Sequence, residues 1–188
     1  NLPQKEPTLL DKWYSEDLYG QICEARKNAP MYVLHDGPPY ANGHIHMGTA
    51  LNKILKDIVV KYKTMSGYLA PYVPGWDCHG LPVENEMEKE FRVSGKRDIE
   101  KLGIYIFNEA CRSIVQRYTN QWEKVVNRMG RWVDFVHQYR TMDPPYMESI
   151  WWVFKQIWEK KLIYQGFRVQ PYCPRCATPL SNFEVNEG

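Results

Sequence analysis

Met31-Tyr32-Val33-Leu34-His35-Asp36-Gly37-Pro38-Pro39-Tyr40-Ala41-Asn42-Gly43-His44-Ile45-His46-Met47-Gly48-Thr49 is the stretch that decides the fold. Residues 31–35 are apolar and β-prone, and residues 36–43 are dense in Gly, Pro and Asn, which predicts a buried strand opening into a turn-rich loop. A helix follows at once. Met47, Ala50, Leu51, Ile54, Leu55, Ile58, Val59 and Tyr62 recur at helical spacing, with Asn52, Lys53, Lys56, Asp57 and Lys61 opposite. This is the clearest amphipathic pattern in the chain, and the set Lys53, Lys56, Lys61 and Lys63 is expected to be its solvated face. After a stop near Ser66-Gly67, Leu69–Val73 resumes strand character and ends in the turn-prone Pro74-Gly75-Trp76-Asp77. Strand, helix and strand in that order imply a parallel crossover unit, hence an α/β fold.

Outward from that unit, residues 8–28 read as one or two short helices behind a proline-bounded leader. Val83–Phe91 reads as a charged helix and Val93–Lys101 as a surface loop. Ile104, Phe107, Cys111, Ile114, Val115, Tyr118, Trp122, Val125 and Met129 mark a long helix. Asp143-Pro144-Pro145 starts another, whose stripe around Trp151, Trp152 and Trp158 reads as core packing. Leu162-Ile163-Tyr164 returns to strand character, and residues 171–188 form a turn-rich tail.

Composition narrows the class. With 24 basic against 22 acidic residues in 188, the formal charge is +2, so nothing advertises a polyanion partner, although a local patch remains open. The length suits one domain or one and a fraction, and the composition excludes disorder. No apolar run approaches the about 20 residues that span a bilayer, and no signal-type leader is visible, so the expectation is a cytoplasmic chain without membrane contact. Five cysteines, only two of them close in a C-x-x-C, fit a reduced compartment.

The strand–loop–helix junction is where chemistry is expected. Ligands of open α/β sheets sit beyond the carboxyl ends of strands, and a helix beginning near His46 offers free N–H groups and a positive dipole end to a phosphate. Gly43 and Gly48 would let a nucleotide approach the backbone, and His46 can donate to a phosphate oxygen. The plain alternative is a simple turn with solvated histidines. Cys173 and Cys176 have the spacing of half a structural zinc site; a redox dithiol and two idle surface thiols are the other readings.

Residues 36–57, from Asp36-Gly37-Pro38-Pro39-Tyr40-Ala41-Asn42-Gly43 through Asn52-Lys53-Ile54-Leu55-Lys56-Asp57, closely resemble the first signature of isoleucyl-tRNA synthetases, a class I family. Pro74-Gly75-Trp76-Asp77-Cys78-His79-Gly80-Leu81-Pro82-Val83-Glu84 resembles the second block. Thr141–Ser149 and Tyr172-Cys173-Pro174-Arg175-Cys176 continue the likeness to the end of the chain. The resemblance implies the first half of a Rossmann-type nucleotide-binding domain that makes isoleucyl-adenylate from isoleucine and ATP with Mg2+, then transfers isoleucine to its tRNA(Ile). It places the HIGH signature on His46-Met47-Gly48-Thr49, giving His46 and Thr49 catalytic roles and Gly43, His46, Gly48 and Thr49 contact with ATP. Gly37, Pro38 and Asp77 would bind the amino acid, Asp77 receiving its ammonium group; a turn or cap is the alternative for Asp77. His79 is either a partner behind the site or a packing histidine.

One position departs from the pattern: Thr49 stands where the signature has its second histidine. A hydroxyl can donate a hydrogen bond there but carries no charge.

The resemblance also implies parts not seen here, among them a lysine-bearing KMSKS signature and the rest of the sheet. The chain therefore reads as an amino-terminal fragment, inactive alone, with residues 1–170 the first Rossmann half and 171–188 the start of an inserted editing domain. Zn2+ would be held in the full-length enzyme, which is expected to be monomeric. A noncatalytic nucleotide- or tRNA-binding module derived from such an enzyme is the alternative function, and a related nucleotidyltransferase a third.

Overall fold

Prolines govern how the strands form. Pro30, Pro38, Pro39, Pro71 and Pro74 lie in the two extended segments 30–40 and 69–77, and each removes a backbone donor, so the ladder between the segments is interrupted. In the computed structural model, which describes residues 1–40 and 43–186 (of Phe183 the backbone alone), the segments run parallel and touch through two isolated bridges, Met31 with Leu69 and Tyr40 with Asp77. Ala41 and Asn42 of the loop lie outside the described residues, as do Glu187 and Gly188.

The elements in chain order are α1 (Leu2–Ser15), α2 (Leu18–Ala25), α3 (Met47–Met65), β1 (Gly75–Trp76), α4 (Leu81–Phe91), α5 (Lys96–Leu102), α6 (Ile104–Arg128), β2 (Tyr139–Arg140), α7 (Pro144–Glu159), β3 (Tyr172–Cys173), β4 (Thr178–Pro179) and α8 (Asn182–Asn186). β1 pairs parallel with β2, Gly75 opposite Tyr139 and Trp76 opposite Arg140. Segment 69–77 is therefore central, with 30–40 on one side and 139–141 on the other. Bonds Tyr32 N–H to Leu69 O (2.8 Å), Asp77 N–H to Pro39 O (2.9 Å) and Thr141 N–H to Trp76 O (3.0 Å) extend the pairing beyond the short strands. The parallel crossover expected around α3 is present.

The main core lies where α4 and α6 meet β1: Trp76, Cys78, Val83, Met87, Phe107, Ile114, Val115 and Trp122 are buried together. α6 behaves as its spacing predicts, burying Phe107, Ile114, Val115, Thr119, Trp122 and Val126 on one face. A smaller cluster, Val60, Ala70 and Tyr72, joins α3 to the central segment.

Several expectations are corrected. α1 starts at Leu2 rather than after the prolines: Pro3 falls in its first turn, where the missing N–H has no partner to lose, and Pro7 is carried inside the helix at the cost of one backbone hydrogen bond. Residues 96–102 are helix α5 rather than loop. Residues 162–164 take no strand partner, since the tail instead folds into the antiparallel hairpin β3–β4 and the short α8. The stripe on α7 is not core: Trp151 is 77% exposed, Trp152 63% and Trp158 61%, and no residue of α7 is buried.

The largest correction concerns α3. Its inward face carries Lys53, Asp57, Val60 and Thr64, whereas Leu51, Ile54, Leu55, Ile58, Val59 and Tyr62 face outward. Lys53 is buried and Lys56 and Lys61 half-buried because partners wait there: Asp36 takes Lys53 and Lys56, and Asp57 takes Lys61 at 2.7 Å. Lys61 also donates to Gly130 O at 2.8 Å, and Lys63 lies over the rings of Tyr32 and Tyr68. A buried charge with a partner is tolerable where an unpaired one is not.

Candidate active site

The loop 36–46 joins the extended segment to α3 and is pinned at three points. At its start, Asp36 accepts a hydrogen bond from the Tyr72 hydroxyl (2.6 Å) and another from Lys56, with Lys53 at 3.8 Å. Burial pushes the Asp36 carboxyl up, but the bonds from Lys56 and Tyr72 and the nearby lysine charges outweigh it, so its pKa lies below the usual carboxylate value. Farther along, the Trp122 indole N–H donates to Gly43 O at 2.7 Å, His44 meets Tyr118 edge-on at 5.9 Å, and Ile45 packs on the main core. At its end, His46 caps α3.

That cap couples two of the expected site residues. The Thr49 N–H donates to His46 Nδ1 at 3.3 Å, which makes Nδ1 the acceptor, so the neutral ring carries its proton on Nε2. Nε2 lies 3.0 Å from the Thr49 hydroxyl oxygen. Nε2–H donates to that oxygen, and the hydroxyl directs its own proton elsewhere. Gly48 suits this arrangement, because a Cβ there would stand 3.1 Å from His46 Cε1 and the ring would have to shift by a few tenths of an ångström.

Around the cap opens a cavity of about 420 Å³, lined by Gly37, Pro39, Gly43, His46, Gly48, Thr49, Lys53 and Lys56 among others. All four residues expected to contact ATP thus share one cavity at the start of a 19-residue helix, where backbone N–H groups and the dipole favour an anion. Of the residues expected at the amino acid, Gly37 lines the cavity but its wall is continued by Pro39, not Pro38. Asp77 stands beside it through its bridge to Tyr40. The Tyr40 hydroxyl is raised by burial, then by the charge of Asp77 and its hydrogen bond to that carboxylate, with Glu184 of α8 adding to the effect. Asp77 Oδ1 also faces the His79 N–H at 3.5 Å.

His79 resolves as a tie between segments: its Nε2–H donates to Thr141 O at 3.1 Å, while the Cys78 N–H donates to the Thr141 hydroxyl at 2.9 Å. Asp36, Lys53, Lys56, Tyr72 and Trp122 were not foreseen at the site. Trp122 looked like one more core residue, yet its indole N–H needed a buried acceptor, and that need is the one signal a sequence carries for it.

Cys173 and Cys176 line no part of this cavity; Cys173 ends β3 and Cys176 lies in the turn to β4, which Arg175 ties to Glu88 of α4 at 3.3 Å. The Cys176 N–H points to Cys173 Sγ at 3.5 Å. That bond, then one from the Cys176 thiol, lowers the Cys173 pKa, and Cys176 is raised in turn by its bond to Cys173. Such a pair supplies two thiolate donors suited to zinc, but among the described residues no group of three or more His, Cys, Asp or Glu side chains comes together to close a site. No helix among the described residues is long and apolar enough to cross a membrane.

Known proteins resemble the chain along nearly all of its length. It is 53% identical over 184 residues to the isoleucine–tRNA ligase of Protochlamydia amoebophila, covering 98% of this chain and 18% of the relative. It is 48% identical over 187 residues to the cytoplasmic isoleucine–tRNA ligase of Arabidopsis thaliana, covering all of this chain and 16% of the relative. The chain thus spans less than a fifth of either protein. Among solved structures, LeuRS of Agrobacterium radiobacter K84, crystallised in a ternary complex with tRNA and LeuAMS, superposes with a TM-score of 0.63 at 20% identity, covering 85% of this chain and 18% of that one. This likeness supports the α/β fold with parallel strands. The profile described as tRNA synthetases class I (I, L, M and V) matches residues 8–188, nearly the whole chain, and the chain belongs to that family.

Proposed function

We propose that the chain forms the first half of the catalytic domain of an isoleucine–tRNA ligase and acts within a longer polypeptide. The observation that carries this reading is the single cavity that joins the His46–Thr49 cap, the α3 N-terminus and the Gly37 loop, with Asp77 alongside. The isoleucine-specific relatives support the choice of amino acid. The uncovered apolar faces of α3 and α7 support the longer polypeptide, since large apolar side chains exposed side by side along a helix mark a surface that something else covers.

In this reading a carboxylate oxygen of isoleucine attacks the α-phosphorus of ATP, the bond to the β-phosphate oxygen breaks, and pyrophosphate leaves. A ribose hydroxyl at the 3′ end of tRNA(Ile) then attacks the carbonyl carbon of the adenylate, the ester forms, and AMP leaves. No protein group needs to bond to substrate, so the residues work by positioning and by neutralising oxygens as charge moves. Mg2+ enters with ATP and neutralises phosphate charge. Asp77 pairs with the ammonium of isoleucine, while Gly37 lets the substrate approach the backbone and Pro38, which does not itself line the cavity, sets the course of the loop between Gly37 and Pro39. The α3 N–H groups, His46 and Thr49 face the phosphates, and Gly43 and Gly48 leave them room. Cys173 and Cys176 supply half of a zinc site completed by other donors, in a tail from residue 171 that begins an inserted domain. The protein is monomeric and cytoplasmic in this reading.

Isoleucine-dependent exchange of pyrophosphate into ATP tests it, with the longer polypeptide and with the 188-residue chain. The longer form exchanges and its His46→Ala variant falls at least tenfold, while the 188-residue chain alone shows negligible exchange. Exchange driven equally by valine or leucine, or indifferent to His46, would overturn the assignment.

A further inference from the structure

Four cationic side chains and two carboxylates form two neighbouring groups along α3, and the lysines of the first group line the cavity. Lys53 and Lys56 share Asp36, while Lys61 and Arg131 share Asp57, Arg131 Nε lying 4.0 Å from Asp57 Oδ1. Four positive charges against two negative leave an excess of two. Lys53 is only 8% exposed and Arg131 only 5%, so this excess sits largely out of water, where uncompensated charge is costly. Among the described residues, Arg131 Nε has no hydrogen-bond partner. The excess is directional: Lys53 and Lys56 reach the cavity wall that also holds Thr49, one and two turns along α3 from it.

We propose that Lys53 and Lys56 form the cationic floor of the nucleotide cavity and meet the terminal phosphates of ATP, with Asp36 holding both ammonium groups in place until the nucleotide arrives. The proposal rests on the reading of the cavity as the ATP site. It also accounts for the uncharged Thr49 in the HIGH-type signature: positive charge at the phosphates comes from the next turns of the same helix. Asp36 precedes Gly37 directly, so the carboxylate that shares the lysines also anchors the loop expected at the amino acid.

The groups facing Lys53 are Asp36 from the loop, Arg131 after α6, Lys56 on α3, and the Tyr72 hydroxyl behind Asp36. Burial lowers the Lys53 pKa to about 8, with Asp36 opposing and Arg131 and Lys56 assisting. An anion in the cavity favours its protonated form, so ATP binds with proton uptake above about pH 8.

Exchange kinetics of the longer polypeptide provide the test, with ATP and inorganic pyrophosphate as probes. Lys56→Gln, at a partly exposed side chain, should raise KM for both by about tenfold, the loss of one charge-assisted hydrogen bond, and leave KM for isoleucine unchanged. Inhibition by AMP, which lacks the terminal phosphates, should not change, and Lys56→Arg should restore binding. KM for ATP in the parent should climb with pH through about 8, and Lys53→Arg, charged throughout, should flatten that climb. If Lys56→Gln leaves KM for ATP and pyrophosphate within twofold while His46→Ala still abolishes exchange, the cavity holds ATP and the lysine proposal is wrong. If His46→Ala is also without effect, the nucleotide reading has failed first.

Discussion

Asp57→Ala and Ile58→Lys, neighbours on α3, should act on stability in opposite order to what their side chains suggest. Asp57 has a side chain 11% exposed, accepts from Lys61 at 2.7 Å and faces the Trp132 N–H at 3.4 Å, with Arg131 at 4.0 Å. Its removal strands a guanidinium whose side chain is 2% exposed. Breaking a buried pair from one side costs about 3–5 kcal/mol. Lys61 is partly exposed and keeps its bond to Gly130 O, which points to the lower end, about 3 kcal/mol. Against a total of about 5–15 kcal/mol for a small domain, that is a large fraction. Ile58 is 57% exposed, and a lysine there changes the stability of this 188-residue chain by no more than about 0.5 kcal/mol. Urea unfolding of both variants, followed by tryptophan fluorescence and by far-ultraviolet dichroism, reads the two values at constant m. Were the apolar stripe the inward one, Ile58→Lys would bury a charge and cost the more. A larger loss for Ile58→Lys than for Asp57→Ala would refute the orientation of α3 described here.

Asp77→Asn in the longer polypeptide should raise KM for isoleucine about 10- to 150-fold, the equivalent of about 1.5–3 kcal/mol for a hydrogen bond to a charged group, with KM for ATP unmoved; equal losses for both ligands would remove Asp77 from the amino-acid site. Trp122→Phe deletes the N–H that holds Gly43 O, costing about 1 kcal/mol in urea unfolding and weakening ATP more than isoleucine. The Asp36 pKa lies below its unfolded value, so its contribution to stability is complete above about pH 4 and is lost as pH falls through the lowered folded value. The stability gap between the parent and Asp36→Asn should therefore close on acidification. Two thiolates neither complete a tetrahedron nor exclude water, so the 188-residue chain should release Zn2+ to a mild chelator; one tightly held ion per chain would show further ligands within it.

The period of a sequence reveals that a helix has two faces, and for α6 it also revealed which one is buried. For α3 it did not. In α6 the apolar stripe meets Trp76, Val83 and Met87, and nothing competes for that position. In α3 the choice is made by residues far away in sequence: Asp36, Tyr72, Arg131 and the Trp132 N–H make the polar face the one with partners inside. Local spacing carries no information about those partners. α7 failed differently, because it is apolar on nearly every side; such a helix reads as core, and the pattern does not say which stretch of chain does the covering. Prolines were the reverse case, since each lost donor is visible in the sequence and accounts for strands reduced to single bridges.

The loop glycines and His46 stand out in the sequence because their chemistry is local, a turn, a helix start and a ring that can donate, and the structure places them around one cavity. What lay hidden was the coupling between positions. His46 spends Nδ1 on the Thr49 N–H and Nε2 on the Thr49 hydroxyl, so neither residue acts on a ligand independently of the other. A histidine at position 49 would present a second ring to the first, whereas the threonine hydroxyl accepts from His46 and can pass a hydrogen bond onward to a phosphate oxygen. If the cavity holds ATP as proposed, Thr49 extends the reach of His46 rather than acting as a second, independent donor. The charge that such a relay lacks is present one and two turns later on the same helix, on the two lysines that Asp36 holds at the cavity wall.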